Sequence, residues 1–344
     1  QSLTASMDQG ILMQVLWNGL RGHPFESTLS SQLSTNVIHS GELPALGYHR
    51  LGQHFTPILA LWIPLVGLLG KWALPMLQMV LFTAAGLVLH RLAQRQLKPY
   101  LAAMVTIAFY GANAVIAPCM LSNFTDLSQL PLGVFLLLLG LERQQRWLTW
   151  AAALAIPLIR EDTGVVLMGV GIWLGLRRKG RWPMAVTLIL FGGGWVALST
   201  NVLMPLFSAD NAQRFMVENF GQYLEGRDQA SSLEVLGLVL RQPLVLLREL
   251  VSPPGNTITY LLAQGLPLIL VPFISIDSWL LMGLPLLGLL LAQGFNNPLS
   301  ISIRYTYLLV PGLFAGAVLW WRSRQVLFES RRLRRIWAGA IALS

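Results

Sequence analysis

The chain has 344 residues, 54% of them hydrophobic and 11% charged, with a mean hydropathy of +0.59. A soluble domain carries about twice that charged fraction, so composition excludes an ordinary soluble enzyme and points to an all-α, polytopic membrane protein. The net charge of +9 is carried in short clusters between apolar runs, the pattern that orients membrane proteins, and it implies no nucleic acid partner.

The first stretch, Thr4 to His54, is the longest mixed polar segment ahead of the apolar runs. Ser6-Met7-Asp8-Gln9 reads as a capping box opening a helix. Asp8, Ile11, Leu12 and Val15 follow i, i+3, i+4, i+7 spacing, which puts the carboxylate on the apolar face. Gln14, Trp17, Asn18 and Arg21 form the wetter side, and Gly22-His23-Pro24 stops the helix. Such a helix lies on a membrane surface, with Asp8 at the boundary of lipid and water. The simpler role for Asp8 is to complement the helix dipole.

Phe25 to Arg50 reads as a loop. Thr56 to Gly70 is apolar but falls short of a spanning length, so it is expected to be re-entrant or interfacial. The runs that could span are 72–90, 100–117, 127–141, 147–159, 163–176, 182–207, 257–273, 278–293 and 305–321. One transmembrane domain is expected over 1–344. It would comprise an outer-face segment at 1–71, membrane helices at 72–207, an outer loop at 208–256 and further membrane helices at 257–344. The absence of a starting Met and the apolar Ile336–Leu343 suggest a piece of a longer chain. The single cysteine, Cys119, excludes an internal disulfide.

Four basic clusters test this layout: Arg91, Arg95 and Lys98; Arg143 and Arg146; Arg177, Arg178, Lys179 and Arg181; and Arg322, Arg324, Arg331, Arg332, Arg334 and Arg335. The positive-inside rule makes all four cytoplasmic. The remaining polar groups then fall on the outer side. They are Asp8, His23, Glu26, His49, Arg50, His54, Asn123, Asp126, Arg160, Glu161, Asp162, the 208–256 loop, Asn296, Asn297, Arg304 and Tyr305. The inner face reads as plain arginine and lysine.

Arg160-Glu161-Asp162-Thr163-Gly164 sets three ionised groups between two apolar runs, which is costly in hydrocarbon unless they face water, a cavity or each other. It is either a solvated turn or a site in which Arg160 holds a phosphate, for which a guanidinium fork is suited. A carboxylate there would position a metal or a hydroxyl. His49-Arg50-x-x-x-His54 places Arg50 and His54 on one face if helical, and two histidines without a third ligand are a weak metal signal. Arg304-Tyr305-Thr306-Tyr307 is either an interfacial anchor or part of the same outer site. Gly171-x-x-x-Gly175 and Gly192-Gly193-Gly194 read as helix-packing sites. Leu233 to Val251 reads as an outer-face helical pair dipping into lipid, or as loop packing.

Taken together, Met7-Asp8-Gln9-Gly10-Ile11 with Gln14 and Trp17-Asn18, Gly22 to Thr28, His54 to Ile58, Arg160 to Gly164, Ser252-Pro253-Pro254 and Arg304 to Tyr307 resemble the bacterial membrane-protein family known as domain of unknown function 2079. The resemblance covers nearly the whole chain. That family is similar in layout to the GT-C class of integral membrane glycosyltransferases, whose functional acid follows the first membrane helix. Asp8 holds the matching place. The chain departs from the family pattern at Asn123, Thr125 and Thr306, where an Asp and histidines are usual, which would remove ligands if those histidines bind metal.

The resemblance implies a GT-C-like bundle in a bacterial inner membrane, with its site on the outer, extracytoplasmic side. The activity implied is transfer of a sugar from a polyprenyl-phosphate donor to an acceptor. Asp8 would be general base or acceptor-orienting carboxylate, with Glu161 and Asp162 as further catalytic candidates. Arg160, Arg304, Tyr305, Gln14, Arg50, His54 and Glu26 would bind substrate. A divalent metal is conceivable, with no ligand set to hold it. A transporter or flippase of a lipid-linked or anionic solute, and a non-catalytic membrane protein, are the rival readings.

Overall fold

The computed structural model describes residues 7–32, 46–121, 123–208, 211–224, 226, 230–250, 252–292 and 299–344. Ser6 of the expected capping box, Asn296 and Asn297 lie outside them. The described residues form an all-α structure without a named strand; one isolated antiparallel bridge joins Glu26 to His49.

The opening helix α1 (Met7–Gly19) buries Ile11, Leu12 and Val15 as the spacing predicts, and Gln9 and Leu16 with them. It packs on a short helix α2 (Ile63–Leu69). Seven residues rise only about 10 Å, so α2 does not cross a bilayer by itself. It leads through a bend at Gly70 (φ +53°) into α3 (Ala73–Gln94). Next come α4 (Pro99–Gly111) and α5 (Asn113–Leu121), separated by an extended Ala112 within the expected 100–117 span. They are followed by α6 (Leu130–Arg143), α7 (Arg146–Ile159), α8 (Gly164–Arg177) and α9 (Trp182–Leu198).

Beyond residue 208 lie three short helices: α10 (Asn211–Phe220), α11 (Ser232–Arg241) and α12 (Pro243–Glu249). On α11 and α12, Leu233, Leu236, Leu240, Leu244 and Leu247 stay exposed in one ridge, while Val235 and Val239 are buried. The expected 257–273 span is interrupted: α13 (Pro254–Gly265) stops at Leu266-Pro267-Leu268, Ile269 and Leu270 are left-handed, and α14 (Val271–Ile274) follows. The chain continues through α15 (Ile276–Leu291), α16 (Val310–Arg322) and α17 (Arg331–Leu343). Three helical runs among the described residues are long and apolar enough to cross a membrane: Pro57–Gln94, Pro99–Met120 and Trp182–Leu206.

Lipid tails are as apolar as leucine, so helices in a bilayer associate by close packing rather than by escaping water. Small residues set the seams. A Cβ at Gly164 would meet the carbonyl oxygen of Gly192, which joins α8 to α9, and Gly171 packs on Ala185 and Ile189 of the same pair. Gly169 lies 2.6 Å from the Leu281 carbonyl by the same measure, and Gly316 would strike Ser278, so α8 and α16 both press on α15. Phe109 fills the centre edge-on to Phe135 and Phe314, with ring centroids 5.9 and 5.3 Å apart.

The basic clusters share one end of this bundle. Gln325 Nε2 donates to the Gln96 carbonyl at 3.0 Å, and Lys98 pairs with Glu329 at 2.7 Å. Gln96 Nε2 donates to Glu142 Oε1 at 2.6 Å, and Arg178 donates to Glu142 Oε2 at 2.9 Å. The reading of that face as plain arginine and lysine is therefore corrected. Arg178 is paired with Glu142, and Arg177 Nε lies 2.8 Å from Asp277 Oδ1. Acids isolated in apolar sequence meet cations from other helices once the helix ends are brought level.

The seam at Gly316 yields a direct test. Gly316→Val should lower the thermal unfolding temperature of the purified protein in detergent, at a cost of about 1–3 kcal/mol from overpacking. Gly339→Ala, where a Cβ meets nothing within 4 Å, should leave it unchanged or higher. Circular dichroism against temperature reads both.

Candidate functional site

At the other end, helices stop short and three-residue-per-turn segments carry charges inward. The last carbonyls of α7 are capped by Thr163, whose Oγ1 donates to the Ile156 and Arg160 carbonyls at 2.6 and 2.7 Å. Arg160 is extended (φ −164°), ending the helix and sending its guanidinium into the protein, where it is 1% exposed. Its Nε donates to Asp162 Oδ1 at 2.8 Å and its Nη2 pairs with Asp162 Oδ2. Its Nη1 lies 3.9 Å from Asp126 Oδ1.

Asp126 opens the short turn Asp126–Gln129, nucleated by a Thr125/Ser128 capping box. One carboxylate oxygen faces Arg160. The other lies 3.9 Å from Arg50 Nη2. Arg50 begins the turn Arg50–Gly52, its backbone N–H donating to the Phe25 carbonyl at 2.8 Å. Its Nη1 donates to Gln53 Oε1 at 3.3 Å and to Ser30 Oγ at 3.4 Å. Neither 3.9 Å contact is a hydrogen bond, and Arg50 Nε and Arg160 Nη1 are buried donors without a hydrogen-bond partner among the described residues.

Two further pairs flank this core. Glu161 receives the His54 imidazole on Oε1 at 2.8 Å and the Phe55 backbone N–H on Oε2 at 2.9 Å. Arg304 Nη1 pairs with Asp8 Oδ2. Tyr305 joins them: the guanidinium carbons of Arg160 and Arg304 lie 5.2 and 5.5 Å from its ring centre, within cation–π range. The turn Arg304–Leu308 itself packs on Asp126–Gln129.

Burial alone would raise the Asp126 pKa, but Arg160, Arg304, His54 and Arg50 outweigh it and hold the carboxyl below its usual 3.8. Glu161 behaves alike: burial raises it, and His54 and Arg160 carry it below 4.5. Burial also works against the Arg160 charge, and Asp162 and Asp126 more than restore it. Arg50 is the weakest-held cation, its pKa lowered because burial outweighs Asp126.

Eight of the residues expected at the site thus lie in one linked cluster: Asp8, Arg50, His54, Arg160, Glu161, Asp162, Arg304 and Tyr305. Gln14 and Glu26 have other company. Gln14 binds Ser27 Oγ, Thr28 Oγ1 and the Leu29 N–H at 2.8, 2.8 and 3.2 Å, pinning that strip to α1. Glu26 lies 3.3 Å from His23 at an exposed turn. Asp126, the residue between Arg50 and Arg160, was not among the expected site residues. Its signal was a carboxylate inside a Thr-x-x-Ser box just before an apolar run. Thr306 is buried and donates to the Ala114 carbonyl at 2.9 Å. Among the described residues no three His, Cys, Asp or Glu side chains converge on a metal position.

Removing one partner of a buried pair leaves a charge stranded, at about 3–5 kcal/mol. Asp126→Asn should lower the unfolding free energy by that amount at pH 7. Because the folded carboxyl titrates below 3.8, its contribution is complete above that value and is lost as pH falls through the depressed one. The gap between variant and parent should therefore narrow below pH 3.8. Thermal unfolding from pH 7 downward checks both statements.

No curated protein and no solved structure matches the chain. A family model described as "Predicted membrane protein (DUF2079)" matches residues 1–344. With spanning helices, a polar end and a match over its whole length, the chain belongs to this family of predicted membrane proteins.

Proposed function

We propose that the cluster is the active site of a GT-C-type membrane glycosyltransferase, acting on a polyprenyl-phosphate-linked sugar at the extracytoplasmic face of a bacterial inner membrane. The observation that carries this reading is the convergence of three largely buried guanidiniums, Arg50, Arg160 and Arg304, beside carboxylates of two kinds. Asp126 is buried and Glu161 mostly covered, with side chains 3% and 12% exposed, whereas Asp8 and Asp162 are 36% and 38% exposed. The buried acids keep the arginines charged and placed; the exposed ones can yield their arginine to a ligand. A phosphate offers the oxygens a guanidinium fork fits, and the unpaired Arg50 Nε and Arg160 Nη1 are donors in waiting.

In this reaction the acceptor hydroxyl oxygen attacks the anomeric carbon and the bond from that carbon to the phosphate oxygen breaks. The hydroxyl proton passes to Asp8. The polyprenyl phosphate leaves with one more negative charge, which Arg160 and Arg304 offset as it develops. Tyr305 holds those two guanidiniums in register, and His54 fixes Glu161. The lipid chain would reach the site from the membrane, and the leucine ridge of α11 and α12 supplies an apolar surface for it.

One observation favours a second reading, transport of a lipid-linked or anionic solute. Thr257, Tyr260 and Gln264 share one face of α13 ahead of its break, and all three polar side chains are buried. Interrupted helices with buried polar groups are what transport pathways use.

Purified protein in nanodiscs, given polyprenyl-phosphate sugars labelled in the sugar, should release label from the lipid to an acceptor. Asp8→Asn should slow that release about a hundred- to ten-thousand-fold, with insertion and unfolding temperature kept. Unchanged turnover in the variant defeats the assignment. Movement of intact labelled lipid between leaflets, with no transfer, establishes the second reading instead.

A further inference from the structure

The leucines of α11 and α12 form a surface that no described residue covers. Leu233, Leu236, Leu240, Leu244 and Leu247 follow one another at steps of three or four residues, and each is more than half exposed. Successive helical residues point about 100° apart, so a charged side lies next to this ridge: Glu234, Arg241 and Arg248, seven residues apart and all exposed. A third side faces the protein, where Val235 and Val239 pack with Tyr223, Leu224 and Leu291. A helix with protein on one side, bare leucine on another and charge on a third suits the corner where a membrane protein meets both lipid and water.

Two anchors set the depth of the pair. At its start, Ser232 Oγ lies 2.9 Å from Thr200 Oγ1 and accepts from Asn201 Nδ2 at 2.9 Å. That clasp holds Leu233 level with the last turns of the long apolar run Trp182–Leu206. Leu198, Val202 and Leu206 of this run are exposed at steps of four residues, so its lipid-facing stripe reaches the height of the ridge. On the protein side, Gln242 Nε2 donates to the Tyr223 carbonyl at 3.1 Å and Gln222 Nε2 to the Leu291 carbonyl at 2.8 Å, tying the pair to the end of α15. The ridge is thus continuous with the ends of two apolar helices. Water is a poor occupant for a contiguous row of leucines. A second copy of the chain is another poor one: a helical seam needs roughly three unbroken heptads, and this ridge is shorter and is cut at Gln242-Pro243.

We infer that α11 and α12 lie in the lipid leaflet at the site end of the bundle, with the leucine ridge in the acyl region and Glu234, Arg241 and Arg248 among the headgroups. The partner is the lipid layer itself, and the inference holds however the charged cluster is read. The same strip also reaches that cluster. Phe207, just past the apolar run, stacks on His49 at 4.4 Å, and a Cβ on Gly52 would meet Ser208. Immersion of the pair therefore holds the Arg50 turn near the level of the headgroups, where lipid phosphates lie.

The test uses a Cys119→Ser background, which keeps a hydroxyl beside Tyr307. Single cysteines are added on the ridge (Leu236→Cys, Leu240→Cys, Leu244→Cys) and on the charged side (Arg241→Cys, Arg248→Cys). All five positions are exposed, so each can carry a spin label without disturbing the packing. In phosphatidylcholine nanodiscs, collisions of each label are measured with oxygen, which concentrates in lipid, and with a water-soluble nickel chelate. Ridge labels should favour oxygen and report a depth of about 5–10 Å below the phosphates, while charged-side labels favour the chelate. Ridge labels open to the chelate would place the leucines in water and overturn the inference. Ridge labels shielded from both reagents would overturn it as well, because protein, a second copy or another partner, then covers them.

Discussion

Asp126 is shared by two arginines that reach it from distant parts of the chain, Arg50 and Arg160, one to each carboxylate oxygen. Three charges at such burial are tolerable only together, since the desolvation of any one alone exceeds what its neighbours return in water. The contact therefore binds three segments into one arrangement or none. Tyr305 extends the constraint to a fourth segment by lying against Arg160 and Arg304, and Arg304 extends it to α1 through Asp8. Long apolar helices could slide or rotate against one another at little cost in lipid. The shared acid gives their ends a fixed register.

That register explains why regular helix gives way at this end. A helix terminating in water can fray, but one terminating around buried charge must satisfy its last carbonyls. Thr163 does so for α7, and the Thr125/Ser128 box starts the turn that carries Asp126. Successive side chains in such short turns point in different directions, so Glu161 faces His54 while Arg160 faces Asp126. The glycine seams between α8, α9, α15 and α16 hold the frame rigid enough for these turns to keep their positions.

Much of this was legible in the sequence because charge is rare in it. With 11% charged residues, each acid or arginine outside the basic clusters stands out. Six such groups in four separate segments proved to be neighbours, together with His54 and Tyr305. The apolar face of α1 followed from spacing alone. What was not legible depended on partners. Asp126 looked like a loop residue because nothing local marks it as the place where two arginines meet. Gln14 and Glu26 sit beside matching motifs in sequence, yet their side chains serve α1 and an exposed turn. Glu142, at the end of an apolar run, and Asp277, inside one, carry no sign of their arginine partners, since an ion pair across helices leaves no trace in either helix alone. The break after Gly265 was hidden for a related reason: Leu266-Pro267-Leu268 keeps the hydropathy of a span while Pro267 and the left-handed Ile269 and Leu270 stop the helix.

The two ends of the bundle use the same residue types to opposite effect. At the basic end the arginines with acid partners sit at the surface, where water and salt weaken each pair, and the remaining cations are left to face outward. At the other end burial removes water from around Asp126, Arg50 and Arg160, so their mutual attraction is screened little and an unpaired donor there is expensive. Asp126 is sealed in and cannot be exchanged without stranding an arginine, and Glu161, mostly covered, is held by His54 and the Phe55 N–H. Asp8 and Asp162 are open enough for another anion to take their place on Arg304 and Arg160. A ligand phosphate that did so would meet guanidiniums already desolvated and already aimed, with their positions held by acids it never touches. Fixed donors of that kind strengthen as charge grows on the group they face and cost no reorganisation when it does. This difference between held and exchangeable acids is the physical basis of the phosphate-handling role proposed for the cluster.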